Sequence, residues 1–415
     1  MTTAEIQALA RQVGEHFFQH ILPFWSGPAL DQQQGGWMAW LSNDLKPDRT
    51  QAKGLVLYSR LVWTFAAAHN LRQEAAYHDL ADRALDWLVN RFWDSQHGGA
   101  FWRLDDAGRV RDDSKQIYGQ AFCIYALAAY HLAFDAPAAR DRAWALFELL
   151  ERHAHDAGHG GYFEARRRDW SAAGAVSQVG GADLGAAKSM NTNLHVLEAL
   201  TTLYRARPDA LVAQRLREMI RLFCERILDR HTQHLHHFFD ASWKVLSDNY
   251  TFGHDIEGSW LLCEAAEVLG DKALGHDVEQ VAVRMAETAL KEGLDADGGL
   301  CYEGRAGKVV DANKDWWPQA EALVGFLNAC QITRDVRFLE AARCVWQFID
   351  KRLVDRTHGD WFWRITAAGQ PDSKLPKVSE WKGPYHSGRA CLEAARRLAV
   401  LAALLPRQDA TAPKP

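Results

Sequence analysis

The 415-residue sequence predicts an all-α fold, an (α/α)6 barrel of twelve helices in which an outer ring of six surrounds an inner ring of six. Three observations predict it. A motif of glycines followed by aromatic residues recurs about every 62 residues, each interval holds two helical patterns, and the second pattern is the more apolar. Solenoid repeats have periods of about 20–50 residues, so six longer helical hairpins favour closure into a ring whose inner helices are buried on most sides.

The repeated motif defines six units. It reads GGWMAW at 35–40, GGAFWR at 98–103, GGYFEA at 160–165, GGLCYE at 298–303 and, in degraded form, GDWFWR at 359–364. Successive copies start 63, 62, 138 and 61 residues apart. The longest gap is close to two periods, and HLHHFFDASW at 234–243, a version without glycine, lies near its midpoint. We expect short strands at these turns.

The helices of each unit differ in character. Segments such as 75–93 and 211–228 carry a polar face and predict outer helices, whereas 116–133 and 258–269 are more apolar and predict inner helices. Long loops join each outer helix to the following inner helix, at 26–50, 94–114, 156–188, 230–250, 293–313 and 356–382. Loops of this length in a compact domain are usually functional. One rim, at the N-terminal ends of the inner helices, therefore carries all the long loops.

Composition and charge argue against two classes of partner, nucleic acids and membranes. The net charge of −5 with no basic run argues against a nucleic-acid partner. No run of about 18 apolar residues was apparent, and the N-terminus does not read as a signal peptide, so we expect no membrane partner and a cytoplasmic location. The seven scattered cysteines lack a CxxC pair and read as small buried hydrophobes. Residues 1–404 are expected to form a single catalytic domain and 405–415 a disordered tail.

Polar and aromatic residues stand near the start of every predicted inner helix. In chain order they are Lys53 and Arg60; Tyr118 and Gln120; Asn191, Asn193 and His195; His254 and Glu257; Trp316, Trp317, Gln319 and Glu321; and Trp381, Tyr385, His386 and Arg389. Six helices thus direct such groups to one mouth, where their N-termini add positive potential. The convergence predicts a functional site.

Histidine suits proton transfer because it titrates near neutral pH. Two histidines on opposite sides of a substrate could remove a proton from one face and return it to the other. Within YTFGHDIEGSWLL at 250–262, Glu257 follows His254 by three residues and shares its helix face. The spacing predicts that Glu257 fixes the tautomer of His254 and favours its protonated form. Arg60 and His195 could hold the oxygens of an enediolate.

Each residue also has a plainer interpretation. A lone histidine on an apolar helix is more often a hydrogen-bonded core residue, and Arg60 could belong to a structural ion pair. Trp316 and Trp317 could serve packing alone. His234, His236 and His237 are expected on the loop surface.

Five segments carry a resemblance over nearly the whole chain. They are KQIYGQAF at 115–122, SMNTNLHVLEA at 189–199, GHDIEGSWLL at 253–262, KDWWPQAEALVGF at 314–326 and EWKGPYHSGR at 380–389. Their order and spacing resemble the N-acylglucosamine 2-epimerase superfamily, and most closely its cellobiose 2-epimerase branch. The resemblance implies an isomerase with an (α/α)6 barrel.

The resemblance also implies roles for individual residues. His386 and His254 match the two general acid/base histidines, and Glu257 the acid that partners the second. Substrate-binding positions match as follows: Arg60 and His195 the groups at the open-chain O1/O2 end, Tyr118 a pocket tyrosine, and Trp317 and Trp381 the sugar-stacking tryptophans. Asn191 and Glu321, which stand in the matching segments, complete the predicted substrate site. The implied reaction opens the reducing-end ring, removes the C2 proton, and reprotonates the other face of a cis-enediolate.

The family resemblance further implies that the reaction needs no metal or other cofactor. The predicted partner is a small sugar with a glucose- or mannose-type reducing end, either a cellobiose- or lactose-type disaccharide or free glucose or mannose. We expect a monomer or a homodimer.

One position departs from the pattern. Disaccharide epimerases of the superfamily usually read NTHLH where this chain has NTNLH at 191–195, with Asn193 in place of histidine. The aldose–ketose isomerases that act on mannose read more like NANMH. An isomerase acting on mannose and fructose is therefore the first alternative.

Three further readings remain from the residues. An inverting glycoside hydrolase would need two carboxylates about 6.5–9.5 Å apart, with Asp255, Asp315 and Glu321 as candidates. A non-catalytic sugar-binding protein would need the tryptophans but not two histidines. A metal site built from His195, His254 and His386 would lack any local ligand motif.

Overall fold

A computed structural model describes residues 1–173 and 184–404, and the predicted disordered tail at 405–415 lies outside the described residues. The described residues contain twelve long helices, as predicted. The outer helices are α1 (Thr3–His16), α3 (Ala75–Trp87), α5 (Pro137–His153), α7 (Ala210–Leu222), α9 (Lys272–Thr288) and α11 (Val336–Phe348). The inner helices are α2 (Leu55–Leu71), α4 (Ile117–Phe134), α6 (Met190–Ala206), α8 (Phe252–Leu269), α10 (Trp316–Thr333) and α12 (Tyr385–Leu404).

The inner helices form a closed ring. Each packs against the next along the series, and α12 packs against α2. Outer helix α1, from the start of the chain, packs on α12 at its end and completes the outer layer. The predicted (α/α)6 barrel is therefore confirmed. Five of the outer helices run on into a π-helical turn before their loop, at Phe17–Ile21 (followed by a short helix, Leu22–Trp25), Leu88–Phe92, Phe223–Ile227, Ala289–Gly293 and Ile349–Leu353.

Helix α4 is long and apolar enough to resemble a membrane span, contrary to the expectation that the sequence holds no such run. Its 18 residues have a mean hydropathy of 1.3, but 72% of that window is buried inside the protein. An inner barrel helix is surrounded by other helices and loses its polar face, so its composition approaches that of a membrane span.

Short antiparallel strands connect the long loops to one another. They are β1 (Lys53–Gly54), β2 (Arg103–Leu104), β3 (Val110–Asp112), β4 (Lys115–Gln116), β5 (Ala165–Arg166), β6 (Lys188–Ser189), β7 (Phe238–Phe239), β8 (Asn249–Thr251), β9 (Glu303–Arg305), β10 (Lys308–Asp311), β11 (Lys314–Asp315) and β12 (Arg364–Ile365). The strand that ends one loop pairs with a strand of the next loop: β1 with β2, β4 with β5, β6 with β7, β8 with β9 and β11 with β12. A bridge between Leu41 and Val378 joins the first loop to the last. The rim is therefore a continuous belt around the mouth.

A second repeated device ties each loop to the barrel. The fourth residue of five inner helices hydrogen-bonds the backbone of the glycine-aromatic motif in its own unit; these anchor residues are Tyr58, Gln120, Asn193, Asp255 and Gln319. Gln120 shows the pattern, since its amide accepts from Ala100 N–H and donates to Ala100 C=O, both at 2.8 Å. In the sixth helix the equivalent residue is Gly388, where a Cβ would lie 2.8 Å from the Phe17 ring. Buried backbone groups of the motif thus obtain partners that a turn alone cannot supply.

Buried lysines fix the loops from the other side. In five units a lysine at the end of the loop pairs with an aspartate at its beginning: Lys53 with Asp31, Lys115 with Asp94, Lys188 with Asp156, Lys314 with Asp295 and Lys377 with Asp355. All five lysines are buried. Removing one partner would weaken the compensation of a buried lysine or its aspartate, so each loop has little freedom to open.

Candidate active site

A cavity of about 280 Å³ opens at the mouth, inside the belt of loops. Nine of the ten predicted site residues line it: Arg60, Tyr118, Asn191, His195, His254, Glu257, Trp317, Trp381 and His386. The tenth, Glu321, lies behind His386, whose Nδ1 is 2.6 Å from its Oε1. The structure therefore brings all ten predicted residues together.

Helix periodicity explains which side chains reach the cavity. Residues two and six of an inner helix are one turn apart and share a face. Tyr118, Asn191, Trp317 and His386 occupy the second position, while Arg60, His195, Glu257 and Glu321 occupy the sixth. The loop anchors occupy the fourth position, on a different side of the same helices.

His386 is held between a carboxylate and a cation. Its Nδ1 donates to Glu321, and its Nε2 accepts from the Arg60 guanidinium at 3.3 Å. Burial lowers the pKa of His386 to about 3, although Glu321 partly opposes this effect. The ring is therefore neutral with an unprotonated Nε2, which can act as a base once substrate replaces the Arg60 contact, and Glu321 is placed to stabilise the imidazolium that forms.

Glu321 is fully engaged in this arrangement. Besides His386, its carboxylate accepts from Arg389 at 2.8 Å and from the Trp260 indole at 3.0 Å. Burial raises its pKa, but Arg389 and His386 outweigh burial and the net pKa is lowered. Glu321 is therefore an anion that does not itself reach the cavity.

The expected pairing of Glu257 with His254 is wrong. His254 Nδ1 lies 2.5 Å from the hydroxyl of Thr251, and the Glu257 carboxylate accepts from Arg389 at 2.8 Å. Shared helix face did not decide the pairing, because a buried guanidinium across the barrel attracts the carboxylate more strongly than a neutral imidazole can. Burial and the neighbouring Glu321 raise the pKa of Glu257 well above its usual value, while Arg389 opposes them.

Arg389 connects three buried carboxylates beneath the cavity. It donates to Glu198, Glu257 and Glu321, which come from helices α6, α8 and α10. Glu198 in turn binds His195, with 2.8 Å between Oε2 and Nδ1. Burial lowers the pKa of His195, although Glu198 opposes this effect. Arg389 therefore sets the position of the acids behind two of the three cavity histidines.

Arg60 links several walls of the cavity. Its guanidinium donates to the Trp381 carbonyl at 2.9 Å and to the Tyr118 hydroxyl at 3.0 Å, in addition to His386. It lies over the Phe122 ring, 4.5 Å from the centroid. These contacts fix a planar cation beside the base, where it can hold an oxyanion.

Aromatic rings border the site. The Trp317 ring centroid lies 4.6 Å from that of His254 and 6.0 Å from that of His386. Gly253 permits this position, because a Cβ there would come within 2.6 Å of the Trp317 ring. Trp381 packs edge-on against Tyr118 with centroids 5.9 Å apart. The tryptophans can thus contact the flat faces of a sugar.

Several residues of the site were missed from the sequence. Tyr302 and Trp363 line the cavity, Thr251 contacts His254, and Asp315, which the sequence offered only as a carboxylate for hydrolysis, lines the cavity too. Tyr302 and Trp363 are the fifth residues of their glycine-aromatic motifs, so alignment of the six motif copies could have indicated them. His234, expected on the surface, is instead buried, where it bonds to Asp255 and stacks on Tyr250.

The candidate carboxylates for hydrolysis are engaged elsewhere. Asp255 anchors the fourth loop, Asp315 is bound by Arg364 and Trp363, and Glu321 is bound by His386. Among the described residues, the nearest approach to a metal-ligand set is Glu257, Glu321 and His386. Arg389 already donates to both carboxylates of that set, so a cation there would have to displace the guanidinium.

Comparison with known proteins gives one consistent result. The sequence matches the N-acylglucosamine 2-epimerase family over residues 36–387. It is 38% identical to the cellobiose 2-epimerase of Bacteroides fragilis over 388 residues, covering 93% of this chain and 98% of that relative. The solved cellobiose 2-epimerase of Bacillus thermoamylovorans superposes with a TM-score of 0.89 at 35% identity, over 94% of this chain and 99% of the other. The D-mannose isomerase of Marinomonas mediterranea is 24% identical, over 89% of this chain and 93% of that relative.

Proposed function

The chain belongs to the N-acylglucosamine 2-epimerase family and is a sugar 2-epimerase, and we propose that it acts on the glucose-type reducing end of a disaccharide such as cellobiose. The observation that carries the proposal is one cavity lined by His254 and His386, with Arg60 between the base and Trp381. Cellobiose 2-epimerases are also the relatives with high identity over nearly the whole chain. A cytoplasmic location and a monomeric or dimeric state stay predictions.

The proton transfers follow from the contacts of the two histidines. With the sugar in its open-chain form, His386 Nε2 takes the C2 proton and becomes an imidazolium paired with Glu321. Electrons from the broken C–H bond move to the carbonyl and give an enediolate, whose oxygens Arg60 and His195 are placed to hold. His254, after taking a proton from solvent, then returns a proton to C2 from the other face and becomes neutral again. The product differs from the substrate only in the configuration at C2.

Other cavity groups suit sugar hydroxyls. Asn191 Oδ1 is buried with no hydrogen-bond partner among the described residues, so it can accept from a hydroxyl group. Glu257 lines the cavity and can hydrogen-bond a sugar hydroxyl. Trp317 and Trp381 supply apolar faces. Such a mixture of apolar walls and a few placed polar groups is typical of small-molecule sites.

The alternative of an aldose–ketose isomerase rested on Asn193, and the structure gives Asn193 a different role. Asn193 does not line the cavity: its side chain accepts from Tyr162 N–H at 2.8 Å and donates to Tyr162 C=O at 3.1 Å. It is the loop anchor of the third unit, equivalent to Gln120 and Gln319. Asparagine at this position therefore supports the loop and does not itself favour a ketose product.

Proton NMR of sugars incubated in deuterated water tests the proposal. We expect cellobiose to give its 2-epimer with deuterium at C2, because both histidines face an open cavity and exchange with solvent. Glucose, mannose and fructose serve as parallel substrates. A dominant ketose would identify an isomerase instead, an unlabelled 2-epimer would contradict proton transfer through the histidines, and release of glucose from cellobiose would indicate hydrolysis.

A further inference from the structure

Thr251 is the one hydroxyl that hydrogen-bonds a cavity histidine through its Nδ1 among the described residues. It is the last residue of β8 and caps the N-terminus of α8, where its Oγ1 accepts from His254 N–H at 3.4 Å. The same oxygen lies 2.5 Å from His254 Nδ1. The side chain is 5% exposed, so water has little access to it.

Both ends of Thr251 are fixed. Its backbone N–H donates to His237 Nε2 at 3.1 Å, and strand β8 pairs Thr251 with Glu303. Among the described residues, His254 Nδ1 is the one acceptor within hydrogen-bond distance of the Thr251 hydroxyl. Since a buried hydroxyl without a partner is costly, the hydroxyl donates to Nδ1 in the neutral state. The proton of neutral His254 then resides on Nε2, the reverse of the tautomer that Glu321 and Arg60 impose on His386.

The charges around His254 differ from those around the other two cavity histidines. His386 and His195 each have a carboxylate at Nδ1, which stabilises the imidazolium. Around His254 the titratable groups are His237, 5.4 Å away between ring centroids, His195 and His386, with Glu257 in the same cavity. Burial, and then these histidines, lower the pKa of His254 well below its usual value.

From this geometry we propose that Thr251 is a positioning residue. It orients His254 through a neutral hydroxyl at Nδ1, whereas the carboxylate of Glu321 places a negative charge at Nδ1 of His386. A hydroxyl can donate to neutral Nδ1 and, after rotating, accept from protonated Nδ1, whereas a carboxylate only accepts. The imidazolium of His254 is therefore the more acidic of the pair and the better donor of a proton to carbon. The kinetic part of this inference rests on the proposed epimerase activity; the tautomer of His254 does not.

Three substitutions separate orientation from charge. Thr251→Val removes the hydroxyl and should lower kcat for cellobiose epimerisation by about 10- to 100-fold with KM changed less than about threefold. Thr251→Ser keeps the hydroxyl and should remain within about threefold of wild type. Thr251→Asp keeps the helix cap but adds a carboxylate, and should move the alkaline limb of the kcat–pH profile upward by about one unit or more, because the anion stabilises the imidazolium.

A matched control isolates the loss of a helix cap. Ser189 caps α6 by accepting from Thr192 N–H at 3.0 Å, as Thr251 caps α8. Ser189→Ala should lower the melting temperature as much as Thr251→Val but leave the pH profile unchanged. An unchanged kcat in Thr251→Val, or an unshifted profile in Thr251→Asp, would overturn the proposal.

Nitrogen-15 NMR of the substrate-free protein reads the tautomer directly. His254 signals are identified by their loss in His254→Gln. We expect the wild type to carry its proton on Nε2 and Thr251→Asp to carry it on Nδ1. A wild-type proton on Nδ1 would overturn the inference, whereas a wild type that epimerises no sugar while showing the Nε2 proton would instead overturn the proposed function.

Discussion

Two sets of side chains share the first turns of the inner helices and do different work. The loop anchors at the fourth position repeat in five units with one geometry, each satisfying the backbone of its own loop. The residues at the second and sixth positions vary between units, apart from Glu257 and Glu321, which share the sixth position of adjacent helices. Arginine, histidine and tryptophan each appear where the neighbouring unit has a different residue. Repetition therefore builds the frame, and departures from repetition build the chemistry.

The largest expected effect comes from the cavity set. His386→Ala and His254→Ala should each reduce turnover by at least about 100-fold, because each removes a proton-transfer group, while the melting temperature stays near that of wild type. Initial rates on cellobiose and thermal unfolding provide the measurements. Near-normal turnover in either variant would contradict the acid/base assignment and weaken the contrast between the two sets.

The anchor set should show the opposite signature. Gln120→Met keeps side-chain volume but leaves the N–H and C=O of Ala100 unpaired, at a cost of about 1–3 kcal/mol for each buried group. The kcat of the folded fraction should change less than about threefold. Chemical unfolding and initial rates are compared with Gln280→Met, an exposed glutamine on α9 that should change stability by less than about 0.5 kcal/mol. A stable but inactive Gln120→Met would show that anchors also govern catalysis.

The smallest expected effect distinguishes a cavity for two sugar rings from a cavity for one. Trp381→Ala should lower kcat/KM for cellobiose more than kcat/KM for mannose, because the indole ring lies where a second sugar ring could stack. The difference between the two losses should be on the order of 1 kcal/mol. The ratio of kcat/KM values for the two sugars provides the measurement, with mannose as the internal control. Equal losses would indicate a cavity built for one ring.

The sequence predicted the barrel and the gathering of these residues at one cavity, but not which side chains pair with one another. The recurring motif and its period sufficed for the twelve helices, and resemblance brought in residues as distant as Arg60 and His386. What failed was the pairing of Glu257 with His254, because spacing along one helix says nothing of Arg389 arriving from another. The sequence linked Asn193 to the choice of product, but its position four residues into the helix makes it a loop anchor.

The contact between α1 and α12 affects the order in which the barrel can assemble. These are the first and last helices of the described residues, so this contact of the outer layer joins residues far apart in sequence, whose loop-closure entropy slows its formation. Helix α12 also carries His386 and Arg389. During synthesis the base and the cation that gathers the three acids emerge after every other part of the site. A chain truncated before residue 385 would keep five of the six inner helices but lose His386 and Arg389 together, so closure of the ring and the proposed base depend on the same helix.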